Sequence, residues 1–160
     1  MSGSKRIRPR SLSMQTTRVR LVLRESPDAP PGAGTTIDRE HDALNVARQI
    51  AAALTEDEAV EVVLAILLDS RRRVTGYVEV ARGQLNVLRL VAADVLRPVL
   101  IAGACSYILT HNHPSGDPSP SAADHTFTET LADLSERIGV RLVDHLVIGD
   151  RTYHSIVKGV

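Results

Sequence analysis

The 160-residue chain has no tryptophan, one phenylalanine, three tyrosines and one cysteine. So few aromatic rings exclude a surface that stacks bases on interleaved side chains, as single-strand nucleic-acid binders use. Cys105, being alone, cannot close an intramolecular disulfide, which suits a reducing compartment. No segment reaches the roughly 18 consecutive apolar residues of a membrane span. The basic N-terminus has no apolar stretch behind it to act as a secretory signal. The expectation is a soluble, cytoplasmic protein with no membrane partner. What is present is ordinary: 43% hydrophobic and 24% charged residues, enough for one packed domain.

Acid is missing from the first 24 residues, which carry the cations Lys5, Arg6, Arg8, Arg10, Arg18, Arg20 and Arg24. Against 19 acids, the remaining 12 cations leave residues 25–160 at −7, so a net charge of zero hides a basic arm before an acidic body. Such an arm can screen nucleic-acid phosphates or dock an acidic partner. The acidic body is a poor duplex binder, and a solubilising tail is the preferred reading. Residues 1–36, rich in Ser, Arg, Pro and Gly, read as a mobile arm and linker, with Val19–Leu23 as an edge strand if any. Residues 37–160 form the folded domain.

Within that domain, Asp38 is placed to cap a helix running to about Leu54, with Leu44, Ala47, Ile50, Ala51 and Leu54 at helical spacing. Thr55–Glu58 breaks the pattern. Glu61 to Asp69 is rich in β-branched and aliphatic residues, as a buried strand requires, and Val74–Val80 returns as its hairpin partner across an exposed Arg71-Arg72-Arg73 turn. An apolar helix over 91–104 follows, with Pro98 kinking it or near its start. The strand Tyr107–Thr110, a Gly/Pro loop over 115–120, a helix over Ser121–Ile138 and two strands, Leu142–Ile148 and Thr152–Ile156, complete the chain. The order α-β-β-α-β-α-β-β predicts an α/β domain, a mixed sheet flanked by helices. Exposed strands in a small sheet make a dimer plausible.

The informative stretch is His111-Asn112-His113-Pro114, followed by a Gly/Pro loop, then Ser121 and Asp124. At the end of a strand, His111 and His113 share one face, so both imidazoles can reach one ion. The loop turns the chain back, and Asp124 in the next helix's first turn can point at the same place. Two imidazoles and a carboxylate suit Zn²⁺, with a fourth position open to water. Ser121-Ala122-Ala123-Asp124 also reads as a helix capping box, and the two roles do not exclude one another. His41, His125 and His154 show no partner. Asp144 and His145, adjacent in a strand, face opposite sides, so one supports the sheet or the site. Cys105, between an apolar helix and a strand, is expected to be buried and inert.

The spacing H-x-H-P, seven residues, S-x-x-D resembles the JAMM motif of JAB/MPN metalloprotease-like domains. The run His111–Ser121, with Leu142–Asp150, Tyr153 and Ser155, resembles the RadC branch of that family, over about residues 40–158. The resemblance implies a cytidine-deaminase-like α/β sandwich with zinc on His111, His113 and Asp124. It also implies Glu61 as the general base, with Glu58 and Glu79 as alternatives, and Ser121 as hydrogen-bond donor to the substrate's oxygen. Ahead of this domain RadC proteins usually carry a helix-hairpin-helix region, where here a basic arm and one helix stand. The implied activity is a zinc-dependent metallopeptidase or isopeptidase acting on a peptide or isopeptide. The rival is a catalytically silent metal-binding module in DNA-associated assemblies, repair or mobile-element, suggested by the family's association with DNA repair. Deamination is set aside, because its H-x-E and P-C-x-x-C ligands are missing.

Overall fold

The computed structural model of the protein describes residues 29–54, 60–83 and 90–159. The basic arm over 1–24, the strand expected at Val19–Leu23, the Thr55–Glu58 break and the candidate Glu58 lie outside them. The described elements are α1 (Glu40–Leu54), β1 (Glu61–Leu68), β2 (Val74–Gly83), α2 (Ala92–Ile101), β3 (Ser106–Asn112), α3 (Ala122–Arg137), β4 (Arg141–Ile148) and β5 (Tyr153–Ser155).

The apolar β1 run takes the most enclosed place that its composition allows, between two neighbours in a five-stranded sheet of order β2-β1-β3-β4-β5. β1 pairs antiparallel with β2 and β3, β3 pairs parallel with β4, and β4 pairs antiparallel with β5. The parallel step needs a crossover, which α3 supplies.

Alternation along β1 divides the core in two. Val62, Leu64, Ile66 and Leu68 pack with Val46 and Ile50 of α1, whereas Val63, Ala65 and Leu67 pack with Val95 and Val99 of α2 and Leu131 of α3. The result is a mixed sheet between α1 on one face and α2 with α3 on the other.

Several local expectations are corrected. α1 is capped by Asp42 rather than Asp38: the Asp42 carboxylate reaches back to accept from the backbone N–H groups of Asp38 and Arg39, 3.2 and 3.0 Å away. The end of the expected linker is tied to the hairpin, since the Gly34 N–H donates to the Val74 carbonyl and the Val74 N–H to the Thr35 carbonyl. Pro98 sits inside a shorter α2, Ala92–Ile101, where it cannot donate to the Asp94 carbonyl. β2 runs on to Gly83 and β3 to Asn112, which makes His111 a strand residue. Arg71 and Arg73 are exposed as expected, but Arg72, at φ 60°, is half-buried. Cys105 is exposed, because it stands in the turn between α2 and β3 outside both apolar clusters.

Candidate metal centre

Three elements bring the predicted residues to one point. β3 carries His111 on the α2/α3 face, opposite Val63 of β1, and the His113 N–H extends the ladder by donating to the Ile148 carbonyl at 2.9 Å. The two Nε2 atoms of His111 and His113 lie 3.0 Å apart. The loop after His113 folds back against the β4–β5 turn: the Asp150 N–H donates to the Gly116 carbonyl. A side chain on Gly116, at φ 77°, would run into the Asp150 carboxylate, and one on Gly149 into the Gly116 carbonyl. That return sets α3 beside the histidines. Asp124 Oδ1 is 3.6 Å from His111 Nε2 and Asp124 Oδ2 is 4.0 Å from His113 Nε2.

Glu61 opens β1, is 8% exposed, and brings a carboxylate oxygen within 4.8 Å of a ring nitrogen of each histidine. Its backbone is positioned by Asn112. The Asn112 side-chain oxygen accepts from the Val62 N–H at 2.8 Å and its amide donates to the Val60 carbonyl at 3.1 Å, so the side chain bridges both sides of Glu61. Of the alternative bases, Glu79 is engaged bidentately by Arg82, which holds it below the usual carboxylate range.

Ser121 is the N-cap of α3: its Oγ accepts from the Asp124 N–H, while its own N–H and hydroxyl donate to Asp124 Oδ2 at 2.7 and 2.6 Å. Burial works to raise Asp124, but these bonds to the carboxylate outweigh it and hold the group below its ordinary value. The capping box and the convergent carboxylate therefore coexist in one residue pair.

The hydrogen-bond network around the histidines fixes their tautomers. The Thr128 hydroxyl donates its one proton to the Asp124 carbonyl at 2.6 Å, so at 2.6 Å from His145 Nδ1 it can only accept. His145 therefore carries its proton on Nδ1 and accepts at Nε2, 2.9 Å from His111 Nδ1, which must donate. His113 Nδ1 faces the Asp117 carbonyl at 2.7 Å and must donate too. Burial keeps His111 and His145 neutral, depressed to about 4 and about 3. The His111 Nε2 lone pair thus faces His113 Nε2 at 3.0 Å, beside an anionic carboxylate.

Donors around a tetrahedral ion at about 2.0–2.1 Å lie roughly 3.3 Å from each other. Among the described residues, Glu61, His111 and His113 bring one ligand atom each within 4.8 Å of one another, as one small divalent cation requires. Asp124 stands beside this group, with a different oxygen toward each imidazole at 3.6 and 4.0 Å.

Other polar residues fall outside the centre. His41, His125 and His154 are exposed. Asp144, fully buried, accepts from the Ser155 hydroxyl at 2.7 Å and the Val157 N–H at 3.2 Å, anchoring the C-terminal segment, while its neighbour His145 turns to the centre. Sequence reasoning missed Asn112 and Thr128. The first carried a signal, an amide between the two histidines at a strand end; the second had none apart from its helical spacing after Asp124.

No helix among the described residues is long and apolar enough to cross a membrane. The chain is 45% identical over 102 residues to a UPF0758 protein of Shewanella piezotolerans, and 40% identical over 102 residues to one of Trichlorobacter lovleyi. These matches cover 64% of this chain and 45% and 44% of the relatives, so the chain spans under half the length of the proteins it matches. The family model of the RadC-like JAB domain matches residues 37–159, and the chain belongs to that family.

Proposed function

We propose that the centre binds Zn²⁺ through His111, His113 and Asp124 and hydrolyses an amide bond of a peptide or isopeptide. One observation carries the reading: two imidazoles whose Nε2 atoms converge at 3.0 Å beside a carboxylate, with a second, nearly buried carboxylate from Glu61 next to them. The donor set of two nitrogens and an oxygen suits zinc and leaves room for a water or substrate oxygen. Family membership supports the same chemistry, through the resemblance of the H-x-H-P and S-x-x-D spacing to metalloprotease-like domains.

When bound, the ion supplies a Lewis acid that polarises the amide carbonyl and acidifies a water molecule. Glu61 takes one proton from the attacking water as its oxygen adds to the carbonyl carbon. The C–N bond then breaks, and Glu61 returns the proton to the departing amine nitrogen. Ser121 turns its hydroxyl from Asp124 Oδ2 to the carbonyl oxygen as negative charge builds there. His145 and Thr128 keep His111 in the tautomer that leaves Nε2 free.

A second reading, a catalytically silent metal-binding module of DNA-associated assemblies, draws on one observation: the Ser121 hydroxyl already gives its proton to Asp124 at 2.6 Å. Elemental analysis and peptide turnover separate the two. We expect about one zinc per chain, lost in Asp124→Ala. Glu61→Gln should keep the zinc and lower turnover by about 10²–10⁴-fold. Zinc binding without turnover on any peptide or isopeptide favours the silent module, and no zinc in the wild type sinks both.

A further inference from the structure

A cavity of about 790 Å³ opens from the metal centre along the α2/α3 face of the sheet. His111 and Asp124 stand at one end, and the floor is Val63 and Leu109. Val91 and Ala92, at the start of α2, form one wall, and Phe127 with Thr130, on α3, the other. Besides His111, Asp124 and His145, its polar groups are the hydroxyls of Thr126 and Thr130, which donate to the Ala122 and Thr126 carbonyls of their own helix; the rest is aliphatic and aromatic carbon. Val91 is 54% exposed and Phe127 half-buried, so these side chains are not closed over by the fold's own core.

We infer that this cavity is the specificity subsite of the centre, and that it takes a bulky aliphatic or aromatic side chain next to the scissile amide. The inference rests on the hydrolase reading above and names its substrate class. Continuity decides the occupant. A group seated between Ala92 and Phe127 has its adjoining backbone carried to His111 and Asp124, whose atoms line the same cavity. Apolar walls reward burial of hydrocarbon and offer no partner to a charged side chain, which would lose its hydration there. A cavity of this size lies within the usual range for small-ligand sites and leaves space for more than one side chain.

The test uses the full-length, zinc-loaded Glu61→Gln protein, so that peptides bind without turning over. Blocked tetrapeptides carrying Leu, Phe, Ala or Asp at one central position are titrated calorimetrically. Leu and Phe peptides should bind at least about tenfold more tightly than Ala or Asp peptides. Adding Ala92→Phe should fill the cavity and abolish that preference, while Phe127→Ala should enlarge it and shift the preference toward Phe over Leu. Zinc content and circular dichroism establish that each variant is folded, and the two variants push in opposite directions. Equal binding of Leu and Asp peptides, no binding of any peptide, or a preference untouched by both folded variants would overturn the assignment. Cleavage by the wild-type protein is read on the same peptides. Preference without cleavage supports the subsite and contradicts the hydrolase reading; cleavage without preference does the reverse.

Discussion

The two faces of the sheet are built from the same strands and have opposite fates. On the α1 face, Val62, Leu64, Ile66 and Leu68 of β1 meet Val46, Ala47 and Ile50 in an unbroken apolar layer. On the other face, the packing of Val63, Ala65 and Leu67 against α2 and α3 gives way at one end to Glu61, His111 and His145. Moving one residue along a strand changes the face, so a single register fixes both layers. The lesson is a division of labour: one face is mostly apolar packing, with Asp144 bonded to Ser155 and Val157 as its buried charge, and the other gathers buried polar groups at one end.

Substitutions on the two faces should therefore fail in different ways. The largest stability loss is expected from the α1 face, where Ile66→Ala leaves a cavity at a fully buried site. Denaturant titration of the zinc-free protein should show about 2–5 kcal/mol lost, with one zinc per chain still bound once zinc is added to the folded protein. Smaller in energy but different in kind, His145→Gln should weaken zinc by about 10–100-fold, measured by competition with a chelator, because His111 loses the acceptor at 2.9 Å that fixes its tautomer. Equal zinc affinity in the two variants would break the division.

The smallest effect is a pH dependence belonging to one face. His111 and His145 are neutral in the fold, depressed from 6.5 to about 4 and about 3 by burial. The unfolded chain takes up protons near pH 6.5, before the folded one does. Stability of the zinc-free protein is therefore highest above pH 6.5 and falls as pH drops from there toward 4, by up to about 1.4 kcal/mol per pH unit for each group. Denaturation midpoints between pH 7.5 and 5.5 should show this slope unchanged in Ile66→Ala and roughly halved in His145→Gln.

The faces also differ in how readable they were. The apolar run from Val62 to Leu68 and the spacing of Leu44, Ala47 and Ile50 announce their elements, because burial imposes a period that composition displays. The element order and the mixed α/β class follow from that. The nearness of His111, His113 and Asp124 was legible because a strand end and a helix start carry the H-x-H and S-x-x-D spacing; that Glu61 stands closest to the histidine pair belongs to the pairing of β1 with β3. The supports were not: Asn112 clamps β1 from fifty residues away, and Thr128 meets His145 across a crossover. Long-range contacts leave no period. Cys105 was misjudged for a related reason, since apolar neighbours in sequence do not keep a turn residue from facing solvent. The cavity between Ala92 and Phe127 belongs to two helices packed side by side, which no single stretch of sequence describes.

The central claim is that both His111 and His113 present Nε2 lone pairs to one cation. Long-range ¹H–¹⁵N correlation spectra of histidine-labelled, zinc-loaded protein at pH 7.5 test it directly. The account predicts that His111, His113 and His145 all carry Nδ1 protons, and that zinc shifts Nε2 of His111 and His113 but not of His145. Protonated Nε2 atoms on His111 or His113 with zinc present, or coordination through Nδ1, would contradict it.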